Sequence, residues 1–139
     1  MFKPFLVLAV VLFSAVLATA QASQTPAQTP PPNAIPPDAA QQVNPVKATP
    51  ESIAQGKKYY GYDCAMCHGV NGDGKGDVAV DEKLKLKDYR DPAALKDMTD
   101  GELFYIIKNG KGQMPPEGGR LKAPELWNLV NYIRSLAQK

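Results

Sequence analysis

Apolar residues fall on helical spacings in three stretches of this chain. The strongest stretch is the last. Leu126, Leu129, Val130, Ile133, Leu136 and Ala137 recur at i, i+3, i+4, i+7, i+10 and i+11, after an opening Pro124 and Glu125. Trp127 and Tyr132 lie beside that stripe. A second helix is announced by Thr99-Asp100-Gly101-Glu102, a capping box in which Thr caps and Glu reaches back three residues later. Leu103, Phe104, Ile106 and Ile107 follow, and Asn109-Gly110 stops it. The first helix starts at Thr49-Pro50-Glu51, where Thr can cap, Pro fits the first helical position and Glu suits the positive end of the dipole. Ile53, Gly56 and Tyr60 share one of its faces, and it leads into residues 64–68 after Gly61. A shorter helix is expected around Pro92 to Met98. Lys83-Leu84-Lys85-Leu86-Lys87 alternates like a strand, but it is brief and has no evident partner. The predicted fold class is all-α, with three main helices and a short one.

The N-terminal part follows other rules. Residues 5–17 are almost purely apolar behind a single Lys3, and Ala18-Thr19-Ala20 supplies a small-x-small cleavage pattern. Residues 1–20 therefore read as a signal peptide, with an uncleaved membrane anchor as the alternative because the run is near the lower limit for spanning. Residues 21–50 hold eight prolines, five glutamines and no aromatic residue. Such a stretch buries too little apolar surface to offset chain entropy, so it is expected to be a disordered linker. The compact domain is expected over residues 51–139.

Net charge is +2 and charges of both signs are interspersed, so no strong field points to nucleic acid or anionic lipid. The chemistry concentrates in Cys64-Ala65-Met66-Cys67-His68, the pattern of covalent haem c attachment. Thiols at i and i+3 lie on one helical face and can each add to a vinyl group of one porphyrin. The adjacent His68 can then bind the iron. A disulfide across so small a loop would constrain little. A thioredoxin-like pair would need a βαβ setting, and a zinc site would need four ligands where the chain has two Cys and one His.

A sixth iron ligand cannot be a second histidine, since His68 is alone. Of four methionines, Met1 lies in the export signal and Met66 inside the attachment loop. Met114 is preferred to Met98: it sits in a loop of glycines and prolines between two helices, where backbone can approach a flat ligand. Met98, just before a helix cap, is expected to pack in the core. Residues 71–82 resemble a calcium loop, with Gly76 at position six and Glu82 at position twelve. Asn71 and Lys75 break its ligand pattern, so the segment reads as a Gly-rich haem-wrapping loop.

With these residues placed, the domain resembles the class I cytochromes c, the small bacterial single-haem type. The resemblance rests on Gly56-Lys57-Lys58-Tyr59-Tyr60 ahead of the Cys64–His68 motif, on Thr99–Leu103 leading to Asn109-Gly110 and Met114-Pro115, and on Leu129-Val130-Asn131-Tyr132-Ile133. It implies that the first and last helices cross near perpendicular, with Gly56 the close contact and Tyr60 near Leu129 and Tyr132. No proline occurs between Gly69 and Asp91, so the usual carbonyl partner for the second nitrogen of His68 has no counterpart. Arg120, Arg90, Tyr89 and Trp127 are the candidates for contacts to the haem propionates.

The expected function is one-electron transfer outside the cytoplasm, in the periplasm or tethered to a membrane if residues 1–20 are retained. His68 and Met114 would ligate the iron and Cys64 and Cys67 would anchor the haem c. The chain would act as a carrier and not an enzyme, with a dehydrogenase, reductase or oxidase as redox partner. Lysines 57, 58, 75, 83, 85, 87, 108 and 111 could steer an acidic partner. Alternatives are an open-site haem sensor or peroxidase-like enzyme, and a tethered subunit of a larger oxidoreductase.

Overall fold

The computed structural model describes residues 34–137. Expectations for residues 1–33, the export segment included, lie outside the described residues. The elements are helices α1 (Pro37–Ala40), α2 (Pro50–Tyr59), α3 (Ala65–His68), α4 (Asp77–Asp81), α5 (Asp100–Asn109) and α6 (Ala123–Leu136), with a π-helical turn at Tyr60–Cys64 and a 3-10 turn at Pro92–Leu95. The fold is all-α, as the periodicity predicts. Among the described residues extended pairing is limited to one isolated bridge, Lys111 to Met114.

Helix α6 is the centre of the core. Leu126, Leu129 and Val130 are essentially inaccessible, and Trp127, Tyr132, Ile133 and Leu136 are buried with them. More of the helix is covered than the apolar stripe requires, because α2 and α5 pack on different sides of it. Gly56 of α2 is the close-approach point: a Cβ there would stand 2.0 Å from the Asn128 carbonyl oxygen and 2.7 Å from Tyr132 Cβ. Tyr60 meets Tyr132 edge to face at 5.1 Å. On the other side Phe104 of α5 stacks on Trp127 at 4.1 Å and 19°, an arrangement worth roughly 0.5–1.5 kcal/mol beyond area burial.

The caps form as the sequence predicts. Thr49 Oγ1 accepts the Ser52 N–H at 3.2 Å. The Thr99 box is complete, with Glu102 N–H to Thr99 Oγ1 at 3.1 Å and Thr99 N–H to Glu102 Oε2 at 2.7 Å. Glu125 accepts the Lys122 N–H at the start of α6. The first helix leads into the cysteine motif, as the sequence predicts. Gly61 does not break it; α2 widens into the π-helical turn and continues into α3, with the Ala65 N–H bonding the Tyr60 carbonyl. A π turn inserts one residue and rotates the chain beyond it, here the two cysteines and the histidine.

One expectation is corrected. Residues 34–50 were expected to have no fold of their own, but the short α1 packs against α5 with Ala39 buried. Gly101 makes that approach possible, since a Cβ would lie 2.0 Å from the Ala39 carbonyl oxygen. Thr99 Oγ1 donates to the Ala40 carbonyl at 2.8 Å, and Asn44 Nδ2 donates to Asn131 Oδ1 at 2.8 Å. Composition misses this because polar groups of the domain, not apolar side chains of the segment, hold much of the contact. Residues 83–87 agree with the all-helical expectation. Their alternation marks no strand: Leu84 and Leu86 are half-buried and line a cavity, while Lys83, Lys85 and Lys87 stay exposed.

Candidate functional site

Cys64, Cys67, His68 and Met114 come together on one cavity of about 380 Å³, walled also by Leu84, Leu86, Ile106 and Glu117. A second cavity of about 270 Å³ shares Cys64, His68, Ile106, Lys111 and Met114 with it, and reaches inward to Tyr60, Tyr89, Leu103 and Ile133. Adjoining clefts of this size match the usual range of ligand sites. A further cleft of about 380 Å³ lies behind residues 109–116, against Ala34 and Ile35; neither cysteine nor His68 is in its walls.

The attachment motif occupies the end of the π turn and α3, so one stretch of backbone presents all three of its side chains. The loop after it folds back on it. Gly69, Gly72 and Gly74 take positive φ values of 77°, 76° and 74°. At Gly76 a Cβ would stand 2.3 Å from the Met66 carbonyl oxygen. Residues 71–76 thus wrap the attachment turn, and 77–81 form α4.

His68 is suited to hold a metal. Its Nδ1 is buried with no hydrogen-bond partner, and burial pulls its pKa below the ordinary histidine value. Burial favours the neutral imidazole, the form whose lone pair binds a metal. Its ring stacks on Tyr89 at 5.1 Å and 20°. Cys64 is pushed up to about 12, by burial first and then by Glu117 and Asp63. A thiol-exchange cysteine needs the opposite, a depressed pKa, so the burial of Cys64 disfavours a redox dithiol.

Met114 lines both cavities. Gly110 at φ 76° ends α5, and Lys111 and Met114 then exchange backbone hydrogen bonds at 3.1 and 3.0 Å in a tight turn. Met98 is half-buried against the core and lines only the inner cavity.

The suggested propionate contacts sort differently. Arg90 is paired with Asp88 at 2.6 Å on the exposed surface, and Trp127 is stacked in the core. Arg120 pairs with Asp63 and lies 3.9 Å from Glu117. Tyr89 lies against His68. Glu117 and Asp63 carry no signal in the sequence. Glu117 is 4% exposed in the cavity wall, and burial followed by repulsion from Asp63 raises its pKa, with Arg120 pulling it back. A glutamate in a Pro-Pro-Glu-Gly-Gly run reads as loop surface; only its burial marks it.

An all-α domain built around a Cys-x-x-Cys-His turn defines a small class I c-type cytochrome. The family described as cytochrome c oxidase, cbb3-type, subunit III matches residues 51–133, and the chain belongs to it. Cytochrome c6 of Pyropia tenera is 32% identical over 87 residues, covering 63% of this chain and 95% of its own length. Cytochrome c6 of Diacronema lutheri is 32% identical over 85 residues, covering 61% and 96%. Among solved structures, the c-type cytochrome KustC0563 superposes with a TM-score of 0.52 at 27% identity, over 58% of this chain and 95% of that one. A chain of the Kuenenia stuttgartiensis reducing HAO-like protein complex Kustc0457/Kustc0458 gives a TM-score of 0.60 at 28% identity, over 68% of this chain and 47% of that one. This chain therefore spans about half the length of that larger one. Membership implies covalent haem c, and the spacing of Cys64 and Cys67 is that of its attachment.

Proposed function

We propose that the chain is an extracytoplasmic one-electron carrier and not an enzyme, with one haem c bound through Cys64 and Cys67 and its iron held by His68 and Met114. The observation that carries this reading is that His68 and Met114 line both cavities together. Haem c supplies a one-electron iron couple, and methionine as sixth ligand raises its potential. The protein's own residues do the rest. Neutral His68 offers an imidazole lone pair, Met114 offers a soft thioether from a loop fixed by Pro115 and Pro116, and Leu84, Leu86 and Ile106 keep water from the walls. With His68 and Met114 both bound, the iron would have no open position for a substrate.

Among the described residues no helix is long and apolar enough to cross a membrane. The export reading rests on the sequence of residues 1–20, and the compact domain is proposed over residues 51–139, with the short α1 packed against its α5. Two observations favour the subunit reading: the matching family is described as an oxidase subunit, and a structural neighbour belongs to a complex. A dehydrogenase, reductase or oxidase is the proposed class of partner in either case.

The test is an absorption spectrum of the matured protein, oxidised and reduced, beside Met114→Ala. A low-spin spectrum with a sulfur-to-iron band that the variant loses supports His68/Met114 ligation. A band unchanged by Met114→Ala refutes it, and a high-spin wild-type spectrum moves the sensor or enzyme reading forward.

A further inference from the structure

The Met114 loop leaves its turn and docks back on α5: the Glu117 N–H bonds the Ile107 carbonyl and the Gly118 N–H bonds the Lys108 carbonyl, both at 2.9 Å. From this docked end Arg120 reaches across the cavity rim. Its Nη2 donates to Asp63 Oδ1, and its Nε lies 3.9 Å from Glu117 Oε2. Asp63 immediately precedes Cys64. Glu117 is 4% exposed, and its Oε2 has no hydrogen-bond partner. Both carboxylates line the cavity that holds Cys64, His68 and Met114. Two acidic groups therefore meet there, one from the attachment turn and one from the ligand loop, with a single guanidinium between them. Lys85 and Lys111 line the same cavity, but both are exposed and neither is ion-paired with Glu117 among the described residues.

We propose that Arg120 is a positioning residue for the sixth iron ligand: it clips the Met114 loop to the haem-attachment turn through Asp63 and is the countercharge that lets Glu117 stay buried in the cavity wall. The inference rests on Met114 being that ligand. An exposed ion pair alone would contribute little, and the Arg120 side chain is 61% exposed. Its leverage comes from the groups it leaves behind. Without Arg120, buried Glu117 and Asp63 confront each other uncompensated, and the cost of a stranded buried charge exceeds the worth of the pair. Lifting of the loop relieves that repulsion, and it takes Met114 with it.

The experiment is a cyanide titration of the ferric holoprotein, followed by loss of the sulfur-to-iron band. Cyanide must displace the methionine, so its affinity reads how firmly the loop is held. Arg120→Ala is expected to bind cyanide about tenfold more tightly than wild type, a buried-charge effect reduced for exposure. Arg120→Lys keeps the charge without the two-pronged geometry and is expected to fall between. Arg120→Ala combined with Glu117→Gln removes the stranded carboxylate and is expected to return most of the way to wild type, which a merely structural arginine would not do. An Arg120→Ala affinity within twofold of wild type overturns the proposal, and so does a double variant as labile as the single. If Arg120→Ala does not mature, Arg120→Lys carries the test, and a wild-type affinity there overturns it. A band that survives Met114→Ala refutes the ligand assignment itself, and is distinguished because it appears without touching Arg120.

Discussion

Replacing Gly56 with alanine sets two effects of opposite sign against each other, and the structure decides between them. Gly in a helix interior is about 1 kcal/mol less favourable than Ala, so propensity alone predicts that Gly56→Ala stabilises α2. The tertiary contact predicts the reverse. The added Cβ would stand 2.0 Å from the Asn128 carbonyl oxygen, 2.7 Å from its carbonyl carbon and 2.7 Å from Tyr132 Cβ. The first two are backbone atoms of α6, which cannot rotate away. Relief requires α2 and α6 to separate, loosening the Tyr60–Tyr132 contact and stretching the Ser52 Oγ to Asn128 Oδ1 hydrogen bond of 2.8 Å. Overpacking costs about 1–3 kcal/mol, and a backbone collision belongs at the upper end. Subtracting about 1 kcal/mol for propensity leaves a net loss of about 2 kcal/mol. For a domain of this size that lowers the thermal midpoint by about 8–16 °C. The assay is thermal unfolding of the holoprotein, with Gly61→Ala as control. At Gly61 an added Cβ meets nothing within 4 Å, so the control should be neutral or slightly stabilised. A Gly56→Ala midpoint equal to or above wild type would refute the close-packing account of the α2–α6 crossing.

Leu129→Ala should cost about 2–5 kcal/mol, because Leu129 is completely inaccessible and its neighbours can collapse only partly; urea unfolding with an unchanged m-value checks it. Thr99→Ala should cost about 1 kcal/mol through the lost cap, and because Thr99 also bonds the Ala40 carbonyl, amide exchange should quicken in residues 37–40 as well as in the first turn of α5. Asp88 is held at about 2, against an ordinary 3.8, chiefly by hydrogen bonds from the Arg90 side chain and backbone. A depressed folded-state value means the contribution is present above the unfolded value and lost as pH falls from 3.8 through about 2. A carboxyl NMR titration should therefore show Arg90→Ala moving Asp88 upward. Mature protein from an exporting host should begin at Gln21 by N-terminal sequencing; a retained Met1 would favour an anchor.

Much of this protein was legible from local rules. The α6 stripe, both threonine caps and the Cys64–His68 motif depend on neighbours within one or two helical turns, so spacing suffices to read them. Gly56 was legible through the family resemblance. The alternation at residues 83–87 did not by itself say what it faces, because an extended segment over a cavity and a strand share one period. The fold of residues 34–50 escaped a local reading because Ala39, Asn44 and Ala40 are held by Gly101, Asn131 and Thr99, partners far along the chain.

The sequence by itself determined the three main helices, the attachment pattern and the short list of methionines, since each depends on residue type and short-range spacing. Only the tertiary structure decided which walls the cavities share, that His68 rests on Tyr89 with its Nδ1 buried, and that Glu117 lies inside with Arg120 bridging it to Asp63. Burial and charge pairing are set by the elements that pack against a residue from elsewhere in the chain, and no local pattern carries that information.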